Sequence, residues 1–289
     1  MAKIQRKQIA LGQNFLKSAT LVRRFLRESS IGVSDAVLEI GAGRGVITAE
    51  LARLARKVVA LEKDPALVGL LRMRFSGVPN VEILEGDFLQ YRISDGEYKI
   101  FANIPFNRTA DIVRKILCAS TPPSDAYLIL QKEAAEKFSG SPAETRFSIL
   151  AKPRFKIQIV RELRRTDFEP MPGVDSALLR IQKRSSALVL PEDAALFQKL
   201  VCYGFAGWKR NLGKTLQHIF SYRQWKRLSK ELHFPLSATP SELTFEQWLG
   251  LLDCLKRRVP PYKQMRLQIE SLSSQRVPPN NHWIALGKK

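Results

Sequence analysis

Short apolar runs alternate with stretches of helical periodicity over the first two thirds of the chain. The runs at Ala36–Ile40 and Lys57–Glu62 are each followed by apolar residues at helical spacing, over 46–56 and 65–75. Such alternation is typical of a parallel sheet covered by helices on both faces. The pattern therefore predicts an α/β fold. Further strands are predicted at 81–84, 99–102, 126–130, 155–160 and 177–181, with a helix at 109–119.

The pattern changes after residue 184. Ser185, Ser186 and Pro191 indicate a boundary, and helical periodicity then continues to about Trp248. We expect an α/β domain over 1–184, which opens with a basic segment over 1–30, and a small all-helical domain over 185–258. The remaining residues, 259–289, are rich in proline, serine and basic side chains, which predicts a flexible tail.

The charge balance limits the possible partners. The 289 residues include 47 Lys and Arg against 27 Asp and Glu, a net charge of +20. An excess of this size indicates a polyanionic partner. No apolar run approaches the ~20 residues of a membrane span, and the N-terminus lacks the apolar region of a secretory signal. We expect a cytoplasmic protein that is monomeric by default.

Few cysteines and histidines are present, and none has the spacing of a metal site. Three cysteines far apart argue against a disulfide framework and a cysteine-based zinc centre, and the three histidines lack partners at ligand-like spacing. We therefore expect no metal. The residues concerned are Cys118, Cys202, Cys254, His218, His233 and His282.

A glycine-rich loop comes after the first predicted strand and favours one class of cofactor. Glu39 precedes Gly41, Gly43 and Gly45, whereas a dinucleotide site has its third glycine one position later. An acid before the loop and the absence of pyrophosphate spacing suit S-adenosyl-L-methionine, which has no phosphate and carries a positive sulfonium. The alternative is a tight turn without a ligand.

Two acidic residues at the ends of the next two strands weaken that alternative. Glu62 closes the second strand, where a carboxylate can accept hydrogen bonds from ribose hydroxyls. Asp87 comes after the third strand and is placed to bind an adenine amino group. Since the carboxyl ends of parallel strands meet at one edge of a sheet, these residues predict a shared S-adenosyl-L-methionine site.

The fourth strand ends in the tetrapeptide Asn103, Ile104, Pro105 and Phe106. An exocyclic adenine amine is a poor nucleophile because its lone pair is delocalised into the ring. If the Asn103 side-chain oxygen and the Ile104 carbonyl accept its two hydrogens, the lone pair is directed at the methyl group. Pro105 would fix the loop, and Phe106 could stack on an extruded base. We interpret N-I-P-F as catalytic rather than as a polar strand end beside a core aromatic.

These motifs together resemble those of the ribosomal RNA adenine N6-methyltransferases, which include the Erm macrolide-resistance enzymes and the KsgA-type small-subunit dimethylases. The resemblance runs in order over about residues 8–181. It rests on the segments 11–16 (L-G-Q-N-F-L), 39–45, Glu62, 86–87, 103–106 and 168–176, of which the last matches F-x-P-x-P-x-V-x-S.

The resemblance implies a Rossmann-like methyltransferase sheet and a set of site residues. It adds Phe168 to the catalytic set of Asn103, Ile104, Pro105 and Phe106, as a residue lining the target pocket from the other side. With the residues above, the candidate cofactor-binding set is Gln13, Asn14, Leu16, Glu39, Gly41, Gly43, Gly45, Glu62, Asp87 and Asn103.

The tetrapeptide also separates the branches of this family. Small-subunit enzymes usually have N-L-P-Y, whereas Erm enzymes have N-I-P-Y or N-I-P-F, so Ile104 and Phe106 favour Erm. That branch implies methylation of one 23S rRNA adenine, before or during 50S assembly, and resistance to macrolides, lincosamides and streptogramin B. The alternatives are a 16S rRNA dimethyltransferase, an RNA-binding factor without turnover and, disfavoured by the absence of D-P-P-Y, a DNA adenine methyltransferase.

Basic side chains supply candidates for RNA binding, because phosphate contacts position RNA. Those in the helical region lie near Trp208 and Trp225, which we interpret as core residues. For the arginines of 161–165, phosphate contact and an exposed strand face are equally supported alternatives. The candidates are Arg108, Arg161, Arg164, Arg165, Lys209, Arg210, Lys214, Lys226 and Arg227.

Overall fold

The computed structural model describes residues 14–93, 96–206 and 211–269. The chain forms two compact units, one from residues up to 135 with 156–183, the other from 136–155 with the residues from 184 onward. The segment 136–155 lies inside the range 1–184 that the sequence assigns to the α/β domain, yet it belongs to the second unit. The physical reason is that Ile149 and Leu150 pack in the hydrophobic core of that helical unit.

The first unit is built on a seven-stranded sheet in the order β4-β3-β2-β5-β6-β9-β7. Strands β2 to β6 are parallel, and β9 pairs antiparallel with β6. A separate antiparallel pair joins β1 to β8. The strands are β1 (Phe15–Leu16), β2 (Ala36–Ile40), β3 (Lys57–Glu62), β4 (Val81–Glu85), β5 (Lys99–Asn103), β6 (Asp125–Gln131), β7 (Phe155–Leu163), β8 (Phe168–Glu169) and β9 (Ser176–Lys183).

Helices connect β2 to β3, β3 to β4 and β5 to β6, and the predicted α/β class with a Rossmann-like sheet is confirmed. Strands β2, β5 and β6 are buried over almost their whole length, as expected for a sheet with both faces covered. The helices of this unit are α1 (Ala19–Arg27), α2 (Val46–Ala52), α3 (Pro65–Arg74) and α4 (Thr109–Cys118), and α5 (Lys132–Ser139) begins in it and ends in the second.

The basic N-terminal segment contains an amphipathic helix that the hydrophobic pattern did not predict. The Ser18 hydroxyl caps α1 by accepting from the Leu21 N–H at 3.3 Å. Val22, Phe25 and Leu26 are buried on one face, in the same hydrophobic cluster as residues of the sheet. The arginines of α1 are therefore left on its exposed face.

The second unit is helical, as predicted for the C-terminal domain. Its core contains Trp225 and Trp248, which are 5% and 0% exposed. Leu267 is buried in the same core, so the predicted flexible tail is wrong for residues 259–269, while 270–289 lie outside the described residues. The helices are α6 (Arg146–Ala151), α7 (Pro191–Ala206), α8 (Leu212–Thr215), α9 (Tyr222–Glu231), α10 (Phe245–Arg258), α11 (Pro261–Gln264) and α12 (Arg266–Ile269).

Neither a membrane span nor a metal centre is found in the described residues. None of the helices there is long and apolar enough to cross a bilayer. No group of three or more histidine, cysteine or acidic side chains in the same ranges is arranged to hold a metal ion.

Candidate active site

A cavity of about 410 Å³ opens at the carboxyl ends of β2, β3, β4 and β5. This is the edge at which open parallel sheets bind ligands, and the volume is that of a small-molecule pocket. Its lining residues are Asn14, Phe15, Ile40, Gly41, Gly43, Leu61, Glu62, Lys63, Asp64, Pro65, Gly86, Asp87, Phe88, Leu89, Asn103, Ile104, Pro105, Phe106, Asn107 and Arg108.

The glycine loop bends through left-handed backbone that only glycine adopts readily. Gly43 has φ +56°, and a β-carbon on it would lie 2.7 Å from the Phe15 ring. Gly45 has φ +75°, and a β-carbon there would lie 2.7 Å from the Phe75 ring. The loop therefore leaves bare backbone beside the cavity at Gly43 and packs tightly against α3 and its end at Gly45.

The Glu62 carboxylate is held in place by backbone N–H groups. Its Oε2 accepts from Gly43 at 2.8 Å, and its Oε1 accepts from Lys63 at 2.8 Å and Asp64 at 3.0 Å. Because each carboxylate oxygen offers about two acceptor directions, Oε2 retains room for one further donor. A ribose hydroxyl in the cavity is a donor of the required kind.

The Asp87 carboxylate has a partner that the sequence did not reveal. Lys63 Nζ lies 2.9 Å from Oδ2, and the Leu89 N–H donates to Oδ1 at 2.9 Å. The hydrogen bond from the Lys63 ammonium holds the pKa of Asp87 below its usual value. Asp87 is therefore a charged acceptor in the cavity, and an incoming amino group would share its carboxylate with Lys63.

Asn103 ends β5 with its amide turned in a defined direction. Its Nδ2 donates to the Asn14 backbone carbonyl at 2.6 Å, which leaves Oδ1 as the side-chain atom that can accept from a ligand. The Ile104 N–H donates to the Ile129 carbonyl of β6 at 3.1 Å, so the backbone after Asn103 is fixed as well. The strand end thus presents an oriented amide oxygen at the cavity edge.

The rest of the tetrapeptide forms a short turn. The Pro105 carbonyl accepts a hydrogen bond from the Arg108 N–H at 3.0 Å, which closes a 3-10 turn over Phe106–Arg108. Phe106 is half-buried and lines the cavity, and Arg108 lies exposed at its rim. A flat ring and a cation therefore lie next to the oriented Asn103 amide.

Four of the predicted cofactor-binding and catalytic residues that the structure describes do not line the cavity. Leu16 and Phe168 are buried and face each other in the β1–β8 pair. Gly45 lies behind the loop, against α3. Glu39 is 1% exposed and accepts from the Thr48 hydroxyl at 2.6 Å. Gln13 lies outside the described residues.

The burial of Glu39 favours its protonated, neutral form. Burial raises its pKa to about 8, against the opposing effect of the Thr48 hydrogen bond. Its Oε1 has no hydrogen-bond partner within residues 14–93, 96–206 and 211–269. The Glu39 carboxyl is therefore bonded to α2 through Thr48 and does not line the cavity.

The residues of the cavity fit S-adenosyl-L-methionine. Glu62 and Asp87 supply acceptors for hydroxyl and amino groups, and Gly41 and Gly43 line the cavity with backbone and no side chain. Carboxylates suit a cationic ligand and disfavour the phosphates of a dinucleotide. A sulfonium cofactor with a ribose and an adenine therefore matches the donor and acceptor set.

The candidate RNA-binding residues are in different electrostatic states. Arg161 is paired with Glu28 at 2.6 Å, and Arg227 with Glu231 at 2.6 Å. Arg165 lies 3.9 Å from Asp175, whereas Lys214, Lys226 and Arg164 are exposed. The structure therefore separates these side chains by how far their charge is already balanced. Lys209 and Arg210 lie outside the described residues, as does Trp208.

Lys63 and Phe15 are the clearest cavity residues that sequence reasoning missed. Lys63 directly follows Glu62, and Phe15 directly follows Asn14, so their place beside predicted residues was the available signal. Neither residue type indicates a ligand contact by itself.

Comparison with known proteins shows which family this chain resembles. A model of the family "Ribosomal RNA adenine dimethylase" matches residues 4–256. An rRNA methyltransferase of Streptomyces thermotolerans is 33% identical over 258 residues, which cover 89% of this chain and 86% of that protein. The ribosomal RNA small subunit methyltransferase A of Latilactobacillus sakei is 29% identical over 266 residues, which cover 86% and 90%.

The fold agrees with these matches. The crystal structure of 23S rRNA methyltransferase ErmE superposes with a TM-score of 0.80 at 30% identity, covering 84% of this chain and 100% of that one. The family resemblance inferred from the motifs is confirmed, as is the expectation of an S-adenosyl-L-methionine-dependent methyltransferase. The chain belongs to the ribosomal RNA adenine dimethylase family.

Proposed function

We propose that this protein transfers methyl groups from S-adenosyl-L-methionine to N6 of one adenine in 23S rRNA, before or during 50S assembly. Resistance to macrolide, lincosamide and streptogramin B antibiotics would result from the modified base. The observation on which the proposal rests is the Asn103 amide, which lines the cavity and whose Nδ2 is held by the Asn14 carbonyl, so that Oδ1 remains as its acceptor for a ligand. The N-I-P-F tetrapeptide and the similarity to ErmE support the 23S branch.

In this proposal, some residues of the cavity bind the cofactor and others bind the target adenine. The bound cofactor supplies an electrophilic methyl group. Glu62 would accept from the ribose hydroxyls and Asp87 from the adenine amino group of the cofactor, and both would hold it at the carboxyl ends of the strands. Such placement of reacting groups is itself a large part of catalysis.

The strand end prepares the nucleophile. Asn103 Oδ1 and the Ile104 carbonyl accept the two hydrogens of the target amine and draw its lone pair out of conjugation. Phe106 stacks on the flipped purine. The alkylated amine loses its proton to water, so no general base is required. The acceptors are held before the substrate arrives, which is the arrangement that lowers the barrier most.

One observation favours a second candidate, a 16S rRNA dimethyltransferase of the KsgA type. The small-subunit enzyme of Latilactobacillus sakei matches this chain nearly as well as the rRNA methyltransferase of Streptomyces thermotolerans does. The fold and the cavity serve both substrates equally, because the adenine chemistry is the same. The tetrapeptide therefore carries the distinction between the two.

The test is a transfer of labelled methyl groups to three substrates: protein-free 23S rRNA, 50S subunits and 30S particles that lack adenine methylation. The proposal predicts labelling of free 23S rRNA alone, with a primer-extension stop at one adenine. Labelling of the 30S particles with none of 23S rRNA would establish the second candidate. Erythromycin tolerance in cells that express the protein is the matching phenotype.

A further inference from the structure

A second concave surface lies on the first unit, between the exposed face of α1 and the turn after β7. It encloses about 730 Å³ and is lined from one side by Arg24 and Arg27 and from the other by Leu163, Arg164 and Asp167. We refer to this surface as the α1 groove. Among the described residues its lining contains no aromatic ring, so it offers charge and hydroxyl groups rather than a stacking surface.

Three guanidinium groups in the α1 groove have no acidic partner among the described residues. The nearby acids are engaged elsewhere: Glu28 by Arg161 at 2.6 Å, Glu50 by Arg23 at 3.0 Å and Glu162 by Lys132 at 2.7 Å. Glu162 and Asp167 both line the groove, and the Asp167 Oδ2 accepts from the Arg164 backbone N–H at 2.9 Å. The side chains left without an ion pair in the described ranges are Arg24, Arg27 and Arg164.

This arrangement results from the pattern of α1. Burial of Val22, Phe25 and Leu26 puts positions 24 and 27 on the opposite side of the helix, three residues apart and therefore neighbours. Like charges at that spacing repel, which costs stability in the free protein. Because these positive charges repel each other and have no acidic partner among the described residues, a bound polyanion would relieve the repulsion.

The α1 groove is near the catalytic strand end. Asn14 lines the cofactor cavity and accepts from Asn103, while Ser18 lines the groove. Four residues of extended chain span at most about 14 Å. The Lys17 N–H donates to the Asp167 carbonyl at 3.0 Å, which continues the β1–β8 pair up to the groove. A strand whose base enters the cavity therefore reaches the groove within a few nucleotides.

We infer that the α1 groove binds the sugar–phosphate backbone of the RNA substrate beside the target adenine, through Arg24, Arg27 and Arg164. This inference rests on the proposed function for the identity of the polyanion. Contacts of this kind fix register without reading sequence, and they weaken steeply with salt because counterions are released on binding.

The test compares two triple variants of the full-length protein with equal loss of charge. The groove variant is Arg24→Gln, Arg27→Gln, Arg164→Gln. The control variant is Arg72→Gln, Arg92→Gln, Lys156→Gln, which removes exposed basic side chains of the same unit outside the groove. Affinity for an unmethylated 23S rRNA fragment that contains the target adenine is measured over a series of KCl concentrations. Calorimetry with S-adenosylhomocysteine and thermal melting verify that each variant is folded.

The groove variant should bind the RNA about 10- to 100-fold more weakly. The negative slope of log affinity against log salt should become shallower by about 2 to 3, because three phosphate contacts are lost. The control variant should lose much less RNA affinity, and its salt dependence should change much less. Equal losses of RNA affinity in the two variants would overturn the inference. Binding to anionic lipid vesicles is measured in parallel, and a groove variant that loses vesicle binding but keeps its RNA affinity would overturn the inference as well. If the wild type binds the fragment without methylating it, the proposed function fails while the comparison of variants still decides the groove. If it does not bind the fragment, both fail.

Discussion

The cofactor cavity and the α1 groove are connected by the short β1–β8 pair, but their polar side chains differ in how far they are already bonded within the protein. In the cavity, Glu62 and Asn103 are already bonded to backbone atoms, at distances between 2.6 and 3.0 Å. In the groove, Arg24, Arg27 and Arg164 are exposed and have no ion-pair partner among the described residues.

The difference distinguishes two kinds of recognition. Preorganised acceptors define one geometry, so the loss of any one of them should reduce the reaction rate by a large factor. Unpaired surface charges contribute affinity that is additive, screened by salt and tolerant of small displacements. The cavity should therefore respond to the shape of a substitution and the groove to its charge.

The largest effect is expected from Asn103→Ala. Removal of the oriented amide oxygen should lower the single-turnover rate of methyl transfer by about 10²- to 10³-fold or more, since one preorganised group is lost. Calorimetry should still detect cofactor binding, weakened less than the rate. Asn107→Ala is the matched control, because Asn107 also lines the cavity but lies outside the strand end. Comparable rates for the two variants would contradict the assignment.

A β-carbon in the glycine loop should have the next largest effect. Gly43→Ala places a methyl group 2.7 Å from the Phe15 ring on backbone with φ +56°, so the loop or the ring must move. We expect a loss of cofactor affinity of about tenfold or more and a lower melting temperature. Gly77→Ala is the control, since Gly77 does not line the cavity, no atom lies within 4 Å of its β-carbon, and its backbone is not left-handed. An unaffected Gly43→Ala variant would show that the loop is not tight.

Glu39 gives the cavity loop a pH dependence of stability. Its pKa in the folded protein is raised to about 8, above the value of 4.5 in an exposed chain. Between these values the folded state binds the proton more tightly, so this group lowers stability as pH rises. Glu39→Gln should therefore raise the melting temperature by several degrees at pH 8 and change it little at pH 5. A gain of equal size at both pH values would contradict the account, and Glu82→Gln on the exposed face of β4 is the control.

Replacement of Lys63 should have a smaller effect, and in the opposite direction. The Lys63 ammonium occupies Asp87 Oδ2 and adds a positive charge beside a cationic cofactor. Lys63→Met removes both, so S-adenosyl-L-methionine should bind about two- to tenfold more tightly by calorimetry. Lys57→Met, at the other end of β3, should leave the affinity unchanged. Weaker binding by the Lys63 variant would mean that the lysine contacts the cofactor favourably.

The smallest effect on RNA affinity is expected from a substitution in the helical unit. Arg227 is paired with Glu231 on the exposed face of α9, so its charge is already balanced. Arg227→Gln should change the affinity for the rRNA fragment by less than about twofold, in contrast to the groove variant. A tenfold loss would show that helix α9 rather than the α1 groove supplies the phosphate contacts.

The sequence predicts features that depend on neighbours along the chain. The glycine loop, Glu62 and the N-I-P-F turn each lie at the end of a strand, so the alternation of strands and helices was enough to bring them to one edge of the sheet. The hydrogen bond between Asn103 and Asn14 was not predicted, because 89 residues separate the two and the family resemblance implied only that each contacts the cofactor.

Contacts between distant segments could not be predicted in this way. Lys63 and Asp87 are 24 residues apart, and no periodicity indicates that they pair. Arg24 and Arg164 line one groove because β1 pairs with β8, which are strands of two residues each, too short to leave a pattern. The segment 136–155 was assigned to the wrong unit because its apolar residues are as compatible with one core as with the other.

The central claim is that Asn103 Oδ1 and the Ile104 carbonyl oxygen together accept the two hydrogens of the target amine. A crystal structure of the protein with S-adenosylhomocysteine and a short RNA that contains the target adenine tests it directly. The account predicts both oxygens within about 3 Å of the adenine N6, with Asn103 Nδ2 still on the Asn14 carbonyl. An amide reversed so that Nδ2 faces N6, or an N6 atom bound away from this strand end, would contradict it.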